Sequence, residues 1–168
     1  MKAKKLAELS MLTAVALIIF IVELRFPDLT PIQGVKLGLA NIITVYAVYK
    51  YTAKEVFLIV VTRVILGALF SSHVSVILYS MAGAMACLAG MLLLKRVIPL
   101  KYLWLCSILG AVLHNTGQTI MAVILMRSAA AAANYPILIV TGCIAGLFTG
   151  ICAQTVLKRE LNRNENNC

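Results

Sequence analysis

Apolar residues run through this chain in six long stretches broken by short polar punctuation, roughly Leu6 to Leu24, Val35 to Tyr49, Glu55 to Phe70, Val74 to Leu94, Tyr102 to Met126 and Tyr135 to Leu157. An apolar helix needs about 20 residues to cross about 30 Å of hydrocarbon. The first, fourth, fifth and sixth stretches reach that length, and the second and third are shorter. Short runs can be re-entrant, and the alternative is that these two pair as a hairpin dipping in from one side. The linker Lys50, Tyr51, Thr52, Ala53, Lys54 and Glu55 argues against it, because each charge at mid-membrane costs about 2.5 to 3.5 kcal/mol. The pattern therefore predicts six crossings. The fold class expected is an all-α membrane protein, a single helical domain over residues 1–157, followed by a polar, Asn-rich and frayed tail over 158–168.

Basic residues set the orientation. With six crossings one side receives Lys2, Lys4, Lys5, Lys50, Lys54, Lys95, Arg96, Lys101, Lys158, Arg159 and Arg163, eleven in all, and the other receives Arg25, Lys36 and Arg127. Eleven against three places both termini in the cytoplasm. The expected location is the bacterial cytoplasmic (inner) membrane. The basic opening before Leu6 has the charge of a signal peptide, but the run passes directly into Glu23, Leu24 and Arg25 with no small-x-small cleavage site, so a retained first helix is expected.

Composition agrees with the pattern: 62% of residues are hydrophobic, 12% are charged, and the mean hydropathy is +0.98. A soluble domain of 168 residues cannot hide so much apolar surface in one core. Fifteen Lys+Arg against six Asp+Glu give a formal charge of +9. The cations fall in clusters between apolar runs without interleaved aromatics, which points to anionic lipid headgroups rather than nucleic acid. Four of the five cysteines lie inside apolar runs and no CxxC pair occurs, so neither a metal site nor a redox pair is expected.

Small residues mark where helices approach closely. Gly142, Gly146 and Gly150 form a double GxxxG stripe on the last segment; Ala82, Ala86 and Gly90 do the same on the fourth, Gly34 and Gly38 on the second, and Ser10 and Ala14 on the first. Most such stripes pack a bundle against itself, and one could dock another membrane subunit.

Polar residues inside lipid need a partner or a wet cavity. His114, Asn115 and Gln118 form the densest group, with His114 and Gln118 four apart on one helical face beside Gly117. They form either an interhelical hydrogen-bond network or the lining of a cavity. Arg63 lies well inside the third segment, with Glu23 and Asp28 as candidate partners; Lys36, Asn41, Tyr79 and Ser80 complete the polar set. Lys36, Arg63 and a protonated His114 have few acids to balance them, so a ligand carboxylate or phosphate would supply the missing charge. The rival reading makes Lys36 an interfacial anchor and Arg63 a structural hydrogen-bond hub.

Enzyme chemistry has little to stand on. A prenyl-diphosphate synthase needs clustered carboxylates to hold magnesium, and Asp28 is the single aspartate. No Walker A lysine, HExxH or GxSxG pattern occurs.

Four stretches taken together, GVKLGLANI (34–42), RVILGALF (63–70), LYSMAGA (78–84) and GAVLHNTGQ (110–118), resemble the Gx transporter family. Its members carry the label heptaprenyl diphosphate synthase component I and are grouped with the substrate-binding S components of energy-coupling factor (ECF) transporters. The resemblance implies a six-helix bundle with a ligand pocket toward the outer face. It also implies a small-residue patch on the first helix that meets a transmembrane coupling subunit, with two ATPases driving the cycle. Ala7, Ser10 and Ala14 are the positions that match that patch. On this reading Arg63, His114, Asn115 and Gln118 contact the ligand, with Lys36, Asn41 and Tyr79 behind them, and no cofactor is needed. With no acidic cluster, the chain is at most an accessory or substrate-delivering subunit of a prenyltransferase. Relatives of this kind beside components of quinone-linked extracellular electron transfer imply a third role, as a membrane partner in flavin or demethylmenaquinone traffic. Any electron carrier there would be bound noncovalently, since no haem, iron-sulfur or flavin-attachment pattern is present.

Overall fold

A computed structural model describes residues 3–24, 39–70 and 74–165. It contains six α-helices: α1 (Ala3–Leu24), α2 (Asn41–Lys50), α3 (Ala53–Leu69), α4 (Val74–Leu94), α5 (Leu103–Met126) and α6 (Tyr135–Glu165). Short 3-10 turns at Leu100–Tyr102 and Ala129–Ala132 lead into α5 and α6. No strand occurs among the described residues. Among the described residues, four stretches are long and apolar enough to cross a membrane: Ala3–Glu23, Ile77–Leu94, Leu100–Met126 and Ala129–Arg163.

The outward faces agree with a lipid solvent. Met11, Ile18, Leu69, Leu93, Ile124, Ile144 and Phe148 are all more than half exposed. In water a surface this continuous and apolar would be a liability, whereas hydrocarbon solvates it without cost.

Backbone proximity at small residues, with Leu113 and Met91 filling the spaces beside Gly90 and Gly110, joins the last three helices. α5 packs most extensively against α6 and α4. A Cβ built on Gly150 would fall 2.6 Å from the Trp104 Cα, and one on Gly146 would fall 2.8 Å from the Ile108 Cα. A Cβ on Gly117 would meet the Ala82 carbonyl at 2.8 Å and the Ala86 Cβ at 2.9 Å. The α6 glycine stripe and the Ala82/Ala86 stripe are therefore filled from within the bundle, each by α5. Ala7, Ser10 and Ala14 on α1 differ: all three are exposed.

One end of the bundle is polar and tied by side chains. The α1 start meets the α2–α3 turn through Lys5 and Glu55 at 2.6 Å and through the Tyr51 hydroxyl donating to Glu8 at 3.1 Å. Thr52 and Glu55 cap α3 reciprocally. The Lys50 ammonium and the Tyr46 hydroxyl both donate to Glu160 on α6. The α4–α5 connection joins the same end, where Lys95 donates to the Val48 carbonyl at 2.5 Å and the Tyr49 hydroxyl to the Ile98 carbonyl at 3.1 Å. Lys4, Lys54, Arg96, Lys101, Lys158, Arg159 and Arg163 surround these contacts in sequence and are exposed. This basic end holds the clusters whose count set the expected orientation.

Two element boundaries differ from the sequence expectation. The described part of the second helix begins at Asn41 after a turn at Leu39–Ala40, not at Val35; Gly34, Lys36 and Gly38 lie outside the described residues. At 10 residues α2 is about 15 Å long, half the depth of the hydrocarbon. The polar tail, expected to fray from Lys158, continues α6 as far as Glu165. Glu160, held by Tyr46 and Lys50, supplies a tertiary anchor that composition alone does not reveal.

Because Gly150 faces the Trp104 backbone, Gly150→Leu should separate α5 from α6 and cost about 1 to 3 kcal/mol. Thermal unfolding in detergent should show a clearly lower midpoint, while the lipid-facing control Phe148→Leu should unfold close to wild type.

Candidate functional site

At the end opposite the basic cluster, five helices converge on a small cavity. Phe20 and Glu23 come from the last turn of α1, Ala40 and Asn41 from the start of α2, Arg63 and Val64 from the second half of α3, Ser80 from the first half of α4, and His114 and Gln118 from α5. The space open to the centres of water molecules is about 20 Å³, enough for about one ordered water.

Its polar walls are withdrawn from solvent. Arg63 is 6% exposed, His114 5%, Gln118 1% and Glu23 3%. Arg63 lies within electrostatic reach of both Glu23 and His114. The His114 ring packs beside the Gly83 backbone. In the neutral ring one nitrogen carries the proton and the other is an acceptor. His114 Nδ1 and Gln118 Oε1 are both buried without a hydrogen-bond partner. Such atoms are rare, and each costs about 1 to 3 kcal/mol when nothing satisfies it.

Two glycines make room for this arrangement. A Cβ on Gly83 would stand 2.7 Å from the Gln118 Cγ, 2.9 Å from the His114 carbonyl oxygen and 3.0 Å from the His114 Cε1. Gly67 receives the Phe20 ring edge, which a Cβ would meet at 2.7 Å. Gly83 thus lets α4 lie flat against the two polar side chains of α5, and Gly67 seats the aromatic wall.

Of the residues expected at the site, Arg63, His114, Gln118 and Asn41 come together around the cavity. Asn115 and Tyr79 do not. One position from His114, Asn115 is rotated toward α6, where its amide donates to the Leu138 carbonyl at 2.5 Å, although its Oδ1 has no partner. Tyr79 is buried in a separate cluster with Ala122, Ala131 and Leu138. Lys36 lies outside the described residues. Phe20, Gly67 and Gly83 were not singled out by the sequence, and Glu23 was weighed only as an ion partner. Gly67 and Gly83 did lie inside two of the recognised stretches, RVILGALF and LYSMAGA, as did Val64.

Among the described residues no group of three or more His, Cys, Asp or Glu side chains is arranged to hold an ion. Cys87, Cys106, Cys143 and Cys152 are free thiols.

A helical bundle with four apolar spans, small-residue helix contacts and a polar cavity between its helices defines a multi-pass membrane protein. The family model for heptaprenyl diphosphate synthase component I matches residues 12–156, and the chain belongs to that family. No curated protein and no solved structure matches it significantly.

Gly67→Ala should push the Phe20 ring away from its seat and alter the cavity while leaving the helix backbones in place, because the atoms it meets are the far edge of a side chain. Gly83→Ala meets backbone as well and should destabilise the α4–α5 contact. Thermal unfolding of both variants beside wild type should give a small shift for the first and a large one for the second.

Proposed function

We propose that this chain is a membrane substrate-binding subunit of the S-component type, which takes up a small anionic or amphiphilic molecule from the outer side and acts with partner subunits. The observation that carries the reading is the cavity itself, with two unpartnered polar atoms and a buried Arg63 inside a bundle whose helices turn large apolar side chains outward. In hydrocarbon a cluster of this kind is costly unless it serves a bound group. On this reading the chain crosses the bacterial inner membrane six times with both termini in the cytoplasm. The basic end then faces the cytoplasm, the cavity opens toward the outer half, and the chain itself is not an enzyme. Reporters fused to either terminus should both give the cytoplasmic signal.

The exposed face carrying Ala7, Ser10 and Ala14 supplies the second element. It borders a groove of about 350 Å³ between α1 and α3, lined by Leu6, Leu9, Ser10, Thr13, Leu58, Thr62 and Leu66 among others. Small residues beside a groove permit close approach of another helix, as docking to a coupling subunit requires.

A second reading takes its support from the family description: a non-catalytic membrane subunit of prenyl diphosphate or quinone metabolism, or of quinone-linked electron transfer. Partner chemistry separates the two. Gentle purification followed by native mass spectrometry should retain a small molecule and ECF coupling or ATPase subunits under the first reading, and a soluble prenyltransferase or a redox protein under the second. Arg63→Ala and His114→Ala should each abolish retention of the molecule while leaving a folded bundle; unchanged retention in both would remove the cavity from the function.

A further inference from the structure

The charge and hydrogen-bonding state of the cavity together limit what can occupy its deepest part. Among the described lining residues the formal charges are those of Arg63 and Glu23, one of each sign and within electrostatic reach of each other. An anion placed beside the guanidinium therefore also meets the carboxylate. Two atoms lack partners: Gln118 Oε1 is an acceptor, and His114 Nδ1 is one when Nε2 carries the ring proton. A donor satisfies both.

We propose that the cavity reads the tip of its ligand as an un-ionised hydrogen-bond donor, an N–H or O–H of the amide, imide or phenol class, and that it does not hold a carboxylate, a phosphate or an ammonium. Resting on the substrate-binding reading above, this narrows the ligand to an amphiphile with a neutral donor head. His114 and Gln118 are the specificity-determining pair. They stand four residues apart on one face of α5, with Gly83 of α4 closing the floor beneath them and the Phe20 ring forming an apolar side wall. An ammonium would satisfy both acceptors, but it would stand next to the buried Arg63, where like charges repel strongly in a medium of low dielectric. A neutral donor gains the two hydrogen bonds without that cost. The carboxylate of Glu23 and the guanidinium of Arg63, within electrostatic reach of each other, lie at the polar end of the cavity.

Three fluorinated probes of nearly equal size test this directly. Trifluoroacetamide carries a neutral N–H donor, trifluoroacetate an anion and 2,2,2-trifluoroethylammonium a cation. Binding of each to the detergent-purified full chain is read by fluorine NMR line broadening. Trifluoroacetamide should bind wild type, and its affinity should fall roughly tenfold or more in Gln118→Leu, which removes the acceptor at nearly constant volume. Gln118→Met provides the same deletion if the leucine variant unfolds, and His114→Leu probes the other acceptor. The two charged probes should leave the spectrum unchanged. Trifluoroacetate or the ammonium binding as tightly as the amide would overturn the proposal, as would amide binding that survives all three substitutions. Absence of binding by every probe would also overturn it, and native mass spectrometry then separates the two levels: a retained molecule preserves the substrate-binding reading, whereas an empty protein removes that reading as well.

Discussion

The close approach of α4, α5 and α6 is the constraint on which the rest of the molecule depends. Apolar side chains gain nothing by leaving lipid for a protein interior that is equally apolar, so these helices are held by contact between backbones and by the few polar bonds that cross them. Gly117 against Ala82, Gly146 against the Ile108 backbone and Gly150 against the Trp104 backbone are points where backbones approach closely, while the Leu113 and Met91 side chains fill the spaces beside Gly90 and Gly110. The Ser107 and Thr149 hydroxyls, 3.1 Å apart, and the amide of Asn115 on the Leu138 carbonyl add the bonds. With α5 fixed between its neighbours, the orientation of its side chains is fixed as well. Asn115 faces α6, and His114 and Gln118 face the cavity.

Division of labour between the two ends follows from the same plan. At the basic end, polar side chains tie four parts of the chain together: the start of α1, the α2–α3 turn, the α4–α5 connection and the extension of α6. Exposed ion pairs of this kind contribute little individually, about 0 to 1 kcal/mol each, but they define which helix ends meet. At the other end the polar side chains are turned inward and two of their atoms lack partners. The side chains of the first arrangement bond to one another, although Gln154 Oε1 beside Lys101 is also buried without a partner; the second gathers its unpartnered atoms around a cavity. On the substrate-binding reading, that cavity is where binding falls and the basic end is where the helices are anchored.

Much of this was legible in the sequence. Six apolar stretches gave six helices, because in lipid a segment must satisfy its own backbone bonds and only a helix does so locally. The four-residue spacing of His114 and Gln118 put them on one face, and the glycine stripes marked helix contacts, although not which helix each one meets. Other features depend on partners distant in sequence. The continuation of α6 to Glu165 needs Lys50 and Tyr46, more than a hundred residues away. Asn115 looked equivalent to its neighbour His114, but one step along a helix turns a side chain through about 100°, which is enough to exchange the cavity for α6. Gly67 and Gly83 carry no chemistry of their own and are noticed only when the space beside them is seen to hold Phe20, His114 and Gln118.

The central claim is that the buried polar cluster exists to hold a molecule rather than to brace helices. An experimental structure of the gently extracted protein at a resolution that distinguishes water from larger groups is its most direct test. The account predicts non-protein density that enters between Arg63, His114 and Gln118 and touches His114 Nδ1 and Gln118 Oε1. A cavity filled by water alone, with those two atoms bonded to neighbouring helices, would contradict it.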